Sequence, residues 1–142
     1  MSYSPPDELV LARQLLDEDK YQETLDILAG FENKEDLSEE DLIECLLIKG
    51  ELNFIIGKFE LAVSIAEHAF EISKEEEKLI SMFYSLYLKL KGRCEIFRGD
   101  TSSISNVLTS DMHQLKNIYL LLNDLSPKLQ MKRDANYYFG DH

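Results

Sequence analysis

Apolar residues recur every three or four positions along most of the chain, a spacing that predicts amphipathic helices. The first apolar stripe covers residues 9–16, is interrupted by the polar stretch 17–20, and resumes over residues 21–31. Ser4, which precedes two prolines and two acidic residues, predicts a side-chain cap at the start of the first helix. The chain is therefore predicted to begin with two helices joined by a short turn.

A loop and two longer helices are predicted next. Residues 33–37 read as the loop, and Ser38, with an acidic residue three positions later, resembles a capping box that opens a helix continuing to Phe54. Gly57 stands just past that helix, where glycine commonly ends helices. The stripe over residues 59–72 then predicts a fourth helix with small side chains on one face.

The second half of the chain gives a less regular pattern. The charge run at residues 74–78 predicts the start of a fifth helix that ends at Arg98, before a glycine. Residues 100–110 are rich in Ser and Thr and predict a weak helix at best. Asp111 is predicted to cap a separate helix over residues 111–125, and the serine-proline pair after it predicts a last short helix.

The chain also repeats itself at intervals of about 40 residues. A Lys-Gly pair followed by six residues and Gly occupies positions 49–57 and recurs at 91–99, an offset of 42. The segment 21–25 is matched by 59–63 at an offset of 38. Two helices per repeat, with glycine at the turn and an aromatic residue two positions later, resemble the tetratricopeptide-repeat family.

This resemblance implies an all-α fold for the single domain 1–142. It implies about three stacked antiparallel helical hairpins (a TPR-like α-solenoid) plus C-terminal capping helices. The repeats would span about 5–38, 43–76 and 85–118, and the cap about 111–139. The middle repeat matches the family best and the third is eroded. The usual proline between repeats is missing, and the spacing exceeds the common 34 residues. The positions that carry the match in the middle repeat are Leu46, Gly50, Gly57, Phe59, Ala62 and Ala69.

In the family, the first helix of each repeat lines a concave face that binds a segment of a partner protein. The resemblance therefore implies a peptide or an amphipathic helix as ligand. The Lys and Asn side chains with which many members clamp a terminal carboxylate are missing here. The middle helix is apolar on two sides, so it is either sandwiched in a core or offers one side to a partner. The implied partner-binding residues are Leu9, Arg13, Leu16, Glu44, Leu47, Ile48, Glu51, Ile55, Leu86, Lys89, Leu90 and Arg93.

Net charge narrows the classes of partner. The chain carries a formal charge of −12, which argues against nucleic acid, where phosphate neutralisation supplies most of the affinity, and against anionic membranes. Residues 1–78 hold 21 acidic and 7 basic side chains, whereas residues 79–142 hold 6 acidic and 8 basic ones. This asymmetry is typical of a solvated acidic surface, or of a homodimer that pairs the acidic N-terminal half with the basic C-terminal half.

The sequence contains no pattern of residues that indicates a metal site or a catalytic site. The three histidines share no metal-ligand spacing with the two cysteines, so neither a metal nor another cofactor is expected. Cys45 and Cys94 lie in apolar helical runs and are predicted to be buried free thiols. No signal peptide and no membrane span are visible, which favours a cytoplasmic location. No catalytic residues are predicted, and the protein is not expected to be an enzyme.

The predicted function is therefore protein binding, as an adaptor or scaffold that holds a partner segment on the concave face. One alternative is a dedicated chaperone that sequesters an aggregation-prone client. Another is a structural subunit of a self-associating oligomer. The helix over residues 111–125 could cap the stack, lie in its groove or mediate dimerisation.

Overall fold

The computed structural model describes residues 3–98 and 101–125 of the protein, with side chains for 3–98 and 108–123. The predicted short helix after residue 125 lies outside the described residues. The described part contains six helices and no strand, so the all-α fold class is confirmed. The helices are α1 (Asp7–Asp17), α2 (Tyr21–Glu32), α3 (Glu39–Ile55), α4 (Phe59–Glu75), α5 (Leu79–Ile96) and α6 (Thr101–Leu125).

Three of the connections between helices share one turn geometry. In the α1–α2, α3–α4 and α4–α5 turns, the central residue has a positive φ: 62° at Asp19, 87° at Gly57 and 54° at Glu77. The next residue is a lysine whose N–H donates to a carbonyl five positions back, as in a Schellman motif. Each turn thus reverses the chain within three residues. The N–O distances are 2.9 Å for Lys20 to Leu15, 2.8 Å for Lys58 to Asn53 and 2.8 Å for Lys78 to Ser73.

Gly57→Ala is expected to destabilise the protein by about 1 kcal/mol, because an L-residue is strained at positive φ. Gly30→Ala is the matched control, since neither glycine has a heavy atom within 4 Å of an added Cβ, and only Gly57 has a positive φ. The control should stabilise by about 0.5–1 kcal/mol through helix propensity alone. Urea unfolding followed by circular dichroism measures both free energies. Equal effects would contradict the assignment of the cost to the φ angle.

The starts of the helices agree only in part with the sequence. The Ser38 hydroxyl oxygen accepts a hydrogen bond from the Asp41 N–H at 3.1 Å, which confirms the predicted cap of α3. The predicted Ser4 cap is wrong, because α1 begins after Pro6 without a side-chain cap. The predicted helix start within residues 74–78 is also wrong. There α4 continues to Glu75, and the positive-φ turn delays α5 until Leu79.

The largest departure from the predicted elements is α6, a single helix of 25 residues. The sequence predicted weak helix over 100–110 and a new helix capped by Asp111. The Asp111 side chain is instead buried, and its carboxylate forms ion pairs with α5, so it is not the cap of a new helix. The ion pairs of Asp111 anchor α6 to α5. Because adding residues to an existing helix costs little, α6 also includes the Ser- and Thr-rich residues 101–110 despite their poor helix propensity.

The helices pack in chain order, and the odd-numbered helices also contact one another in the order α1, α3 and α5. The core accordingly consists of three clusters in succession. The first joins α1, α2 and α3, the second joins α3 and α4, and the third joins α4, α5 and α6. Buried side chains of α3 belong to both the first and the second cluster, so this helix is sandwiched between them.

Candidate functional site

Most of the apolar residues predicted to contact a partner are buried between helices. Leu9, Leu16 and Ile48 belong to the first core cluster, Leu47 to the second and Leu86 to the third. In this structure they pack the helices together and offer little surface to a ligand. Of the predicted apolar contacts, Ile55 has the largest exposed fraction. The exposed fractions are 1% for Leu9, 3% for Leu16, 6% for Leu47, 0% for Ile48, 1% for Leu86, 5% for Leu90 and 46% for Ile55.

Three of the predicted charged contacts form a link between α1 and α3. The Arg13 guanidinium lies between Glu44, at 3.6 Å, and Glu51, with which it also forms a hydrogen bond. These side chains are half-buried, and their ion pairs hold α1 and α3 side by side. The structure therefore brings these three predicted residues together. Two carboxylates share one guanidinium, so these three side chains together carry one net negative charge.

The remaining charged contacts, Lys89 and Arg93, lie against α6 instead. Arg93 Nη1 donates to Asp111 Oδ2 at 2.7 Å, and Lys89 Nζ is 3.6 Å from Asp111 Oδ1. The Asp111 carboxylate therefore joins two cations of α5 to α6. The structure does not bring Lys89 and Arg93 together with Glu44 and Glu51, because they occupy a different side of α5 from the one that faces α3.

A groove lies between α3 and α5, and we call it the α3–α5 groove. It encloses a cavity of about 30 Å³ lined by Leu47, Glu51, Tyr84, Tyr87, Leu88 and Lys91. Leu47 and Glu51 were among the predicted residues, but the four residues of α5 were not. A signal for them was present in the sequence, because positions 84, 87, 88 and 91 follow the i, i+3, i+4, i+7 spacing of a single helix face.

The Lys91 ammonium occupies the aromatic end of this groove. Its Nζ lies 4.5 Å from the ring centroid of Phe54 and 5.3 Å from that of Tyr87, within the range of cation–π interactions. Burial lowers the pKa of Lys91, and the nearby Glu51 carboxylate partly offsets this effect. Burial raises the pKa of the Tyr87 hydroxyl. The groove therefore combines two ring faces, an apolar wall and a carboxylate around a half-buried cation.

Two other apolar regions are exposed on the described part of the protein. Met112, Tyr119, Leu120 and Leu121 are exposed on α6. Residues 126–142 follow directly on α6 and lie outside the described residues. The exposure of these apolar side chains on α6 is therefore not sufficient to identify a partner surface. Residues 126–142 include the basic side chains of Lys128, Lys132 and Arg133 and the aromatic side chains of Tyr137, Tyr138 and Phe139. The second region is an open hollow of about 380 Å³ around the α3–α4 turn, lined by Gly57, Lys58, Phe59, Glu60, Leu61 and Ile96.

The two thiols differ in their surroundings. Cys45 is buried as predicted, whereas the prediction that Cys94 is buried is wrong. Burial, together with the nearby Glu32 carboxylate, raises the pKa of the Cys45 thiol to about 12. Within the described ranges, no group of three or more His, Cys, Asp or Glu side chains is arranged to hold a metal ion. None of the helices described is sufficiently long and apolar to cross a membrane.

No protein-family model matches the chain, and neither the characterised proteins nor the solved structures include one with significant similarity to it. The resemblance to tetratricopeptide repeats accordingly rests on the sequence pattern described above.

Proposed function

We propose that this protein is a non-enzymatic interaction module that binds a peptide or an amphipathic helix of a partner protein. In this proposal, the hairpins α1–α2, α3–α4 and α5–α6 form a stack similar to tetratricopeptide repeats. The face formed by α1, α3 and α5 is its concave, partner-binding side. The contacts of α3 with both α1 and α5 support this arrangement, since neighbouring first helices also touch in such stacks.

The composition of the α3–α5 groove carries the proposal. Tyrosines are enriched at protein interfaces because they offer large contact area at low cost in conformational entropy. Tyr84 and Tyr87 are only partly buried although they lie on a helix that contacts three others. With the apolar wall at Leu88 and the carboxylate of Glu51, they form a surface suited to a mixed apolar and charged segment.

Site-specific photo-crosslinking in living cells tests the proposal directly. The photoreactive residue p-benzoylphenylalanine replaces Tyr84, where one aromatic side chain substitutes for another. The control places the same residue at Glu67, which is exposed on α4. We expect a discrete crosslinked protein from position 84 and none from position 67, with equal helicity of the two variants by circular dichroism.

The crosslinked species decides between the candidate functions. A different protein captured at position 84 alone supports the interaction module. A second copy of this chain at that position would replace it with the self-associating subunit. Crosslinks of equal intensity from both positions, or from neither, would exclude the α3–α5 groove as the partner surface. Leu47→Asp is a poor test, because it places a charge in a buried cluster and threatens the fold itself.

A further inference from the structure

The aromatic end of the α3–α5 groove is occupied by a cation of the protein itself, the Lys91 ammonium. The Phe54 ring is held by Phe59, with ring centroids 5.4 Å apart and planes inclined by 58°, so it offers a supported platform. Lys91 Nζ lies over this ring and beside that of Tyr87. Among the described residues, no carboxylate forms an ion pair with Lys91, and Glu51 acts on its ammonium only from a longer distance. The lysine is therefore held by ring faces and not by a close counter-charge.

The space in the groove requires Lys91 to move before a partner side chain can enter. A cavity of about 30 Å³ has room for little more than one water molecule. Lysine has a flexible four-carbon stem and can carry its ammonium into solvent, where hydration is strongest. Because Lys91 is only half-buried, this movement needs no displacement of α3 or α5.

The charges of the groove indicate which side chain would replace it. While Lys91 lies over the rings, Arg13 and Lys91 together carry two positive charges against the two negative charges of Glu44 and Glu51. Withdrawal of Lys91 would leave one excess negative charge beside two aromatic faces. A guanidinium fits such a site better than an ammonium, because it is planar, stacks on rings and is more weakly hydrated. The net charge of −12 would also steer a cationic segment toward the protein.

We propose that the α3–α5 groove recognises an arginine of a cationic partner segment, which displaces Lys91 from the rings of Phe54 and Tyr87. This inference rests on the proposed function, since it names the chemistry of the segment that the module binds. Lys91 then acts as a placeholder that keeps the site occupied and closed until an arginine-bearing partner arrives.

Nuclear magnetic resonance with small probes tests the displacement on the full chain. The ε-methylene protons of Lys91 should be shifted upfield by the two rings in the free protein. Titration with N-acetyl-arginine methylamide is expected to move them toward the shift of a solvated lysine in a saturable manner. The citrulline analogue, which has the same shape without the charge, should leave them unchanged at equal ionic strength. The glutamate analogue is the probe of the opposite charge.

Two variants make the outcome decisive. Lys91→Met removes the competing ammonium and should tighten binding of the arginine probe by about tenfold, as read from the ring protons of Phe54 and Tyr87, because a neutral side chain competes less for the rings than an ammonium does. Lys116→Met, on an exposed part of α6, should leave the affinity unchanged. Weaker binding to Lys91→Met, or an equal response to arginine and citrulline, would overturn the proposal. A larger response to the glutamate probe would make Lys91 an anion contact instead.

The two proposals fail separately. A partner crosslinked at position 84, together with no arginine response, would retain the interaction module and remove the cation site. An arginine response without any crosslink would retain the cation site and remove its role in binding a protein.

Discussion

Gly92→Leu is expected to destabilise the protein by about 3 kcal/mol, the upper part of the usual range for overpacking. A Cβ atom at Gly92 would lie 2.6 Å from Val63 Cγ2 and 3.4 Å from the carbonyl oxygen of Phe59. Neither neighbour can move away easily, because valine is restricted at χ1 in a helix and the carbonyl belongs to the backbone. A larger side chain must therefore push α4 and α5 apart, and their contact is the most extensive one between the described helices.

The alanine series at three glycines separates this steric effect from helix propensity. At Gly50 an added Cβ would lie 2.7 Å from Leu88 Cδ2, the end of a flexible side chain that can rotate away. We therefore expect Gly92→Ala to cost more than Gly50→Ala, and Gly30→Ala to be stabilising. Free energies of unfolding from urea titrations measure all three. Equal values at Gly92 and Gly50 would mean that the α4–α5 contact adapts as easily as a leucine side chain.

The sequence predicted the positions of the first four helices well, because their apolar stripes are long and regular. The turn at Gly57 could also be predicted from the sequence, since glycine is the usual residue at positive φ after a helix. The equivalent turn at Glu77 was not, because a glutamate occupies the same backbone conformation there. The charge run around it consequently appeared to be a helix start, and the boundary between α4 and α5 was misplaced.

The lining of the α3–α5 groove could be predicted only in part, and helix geometry explains why. Successive residues of an α-helix are separated by about 100° around its axis, so an error of two positions rotates a side chain by about 200°. Lys89 was carried over from the family pattern, whereas Lys91 is the lysine that lines the α3–α5 groove. The internal repeat gave offsets of both 38 and 42 residues, so it could not fix the register of α5. Of the predicted residues of α3, Leu47 and Glu51 do line the groove.

Asp111→Asn is expected to destabilise the packing of α6 by about 2 kcal/mol, less than the cost of breaking a fully buried ion pair. The Asp111 side chain is 10% exposed, and its partners Lys89 and Arg93 are 17% and 24% exposed. The substitution keeps the shape of the side chain but leaves two neighbouring cations without their counter-charge. Hydrogen exchange should therefore quicken in α6 and at the α5 residues facing it, while α1 and α2 keep their protection.

Glu95→Gln provides the matched control for this charge removal. Glu95 pairs with Arg98 at 3.3 Å, but the Arg98 side chain is 82% exposed. Loss of such a surface pair is expected to cost less than about 0.5 kcal/mol. If Asp111→Asn changed stability as little as this control, the ion pairs would not anchor α6. Packing of Ile118 and Leu122 in the third core cluster would then be sufficient to hold the helix against α5.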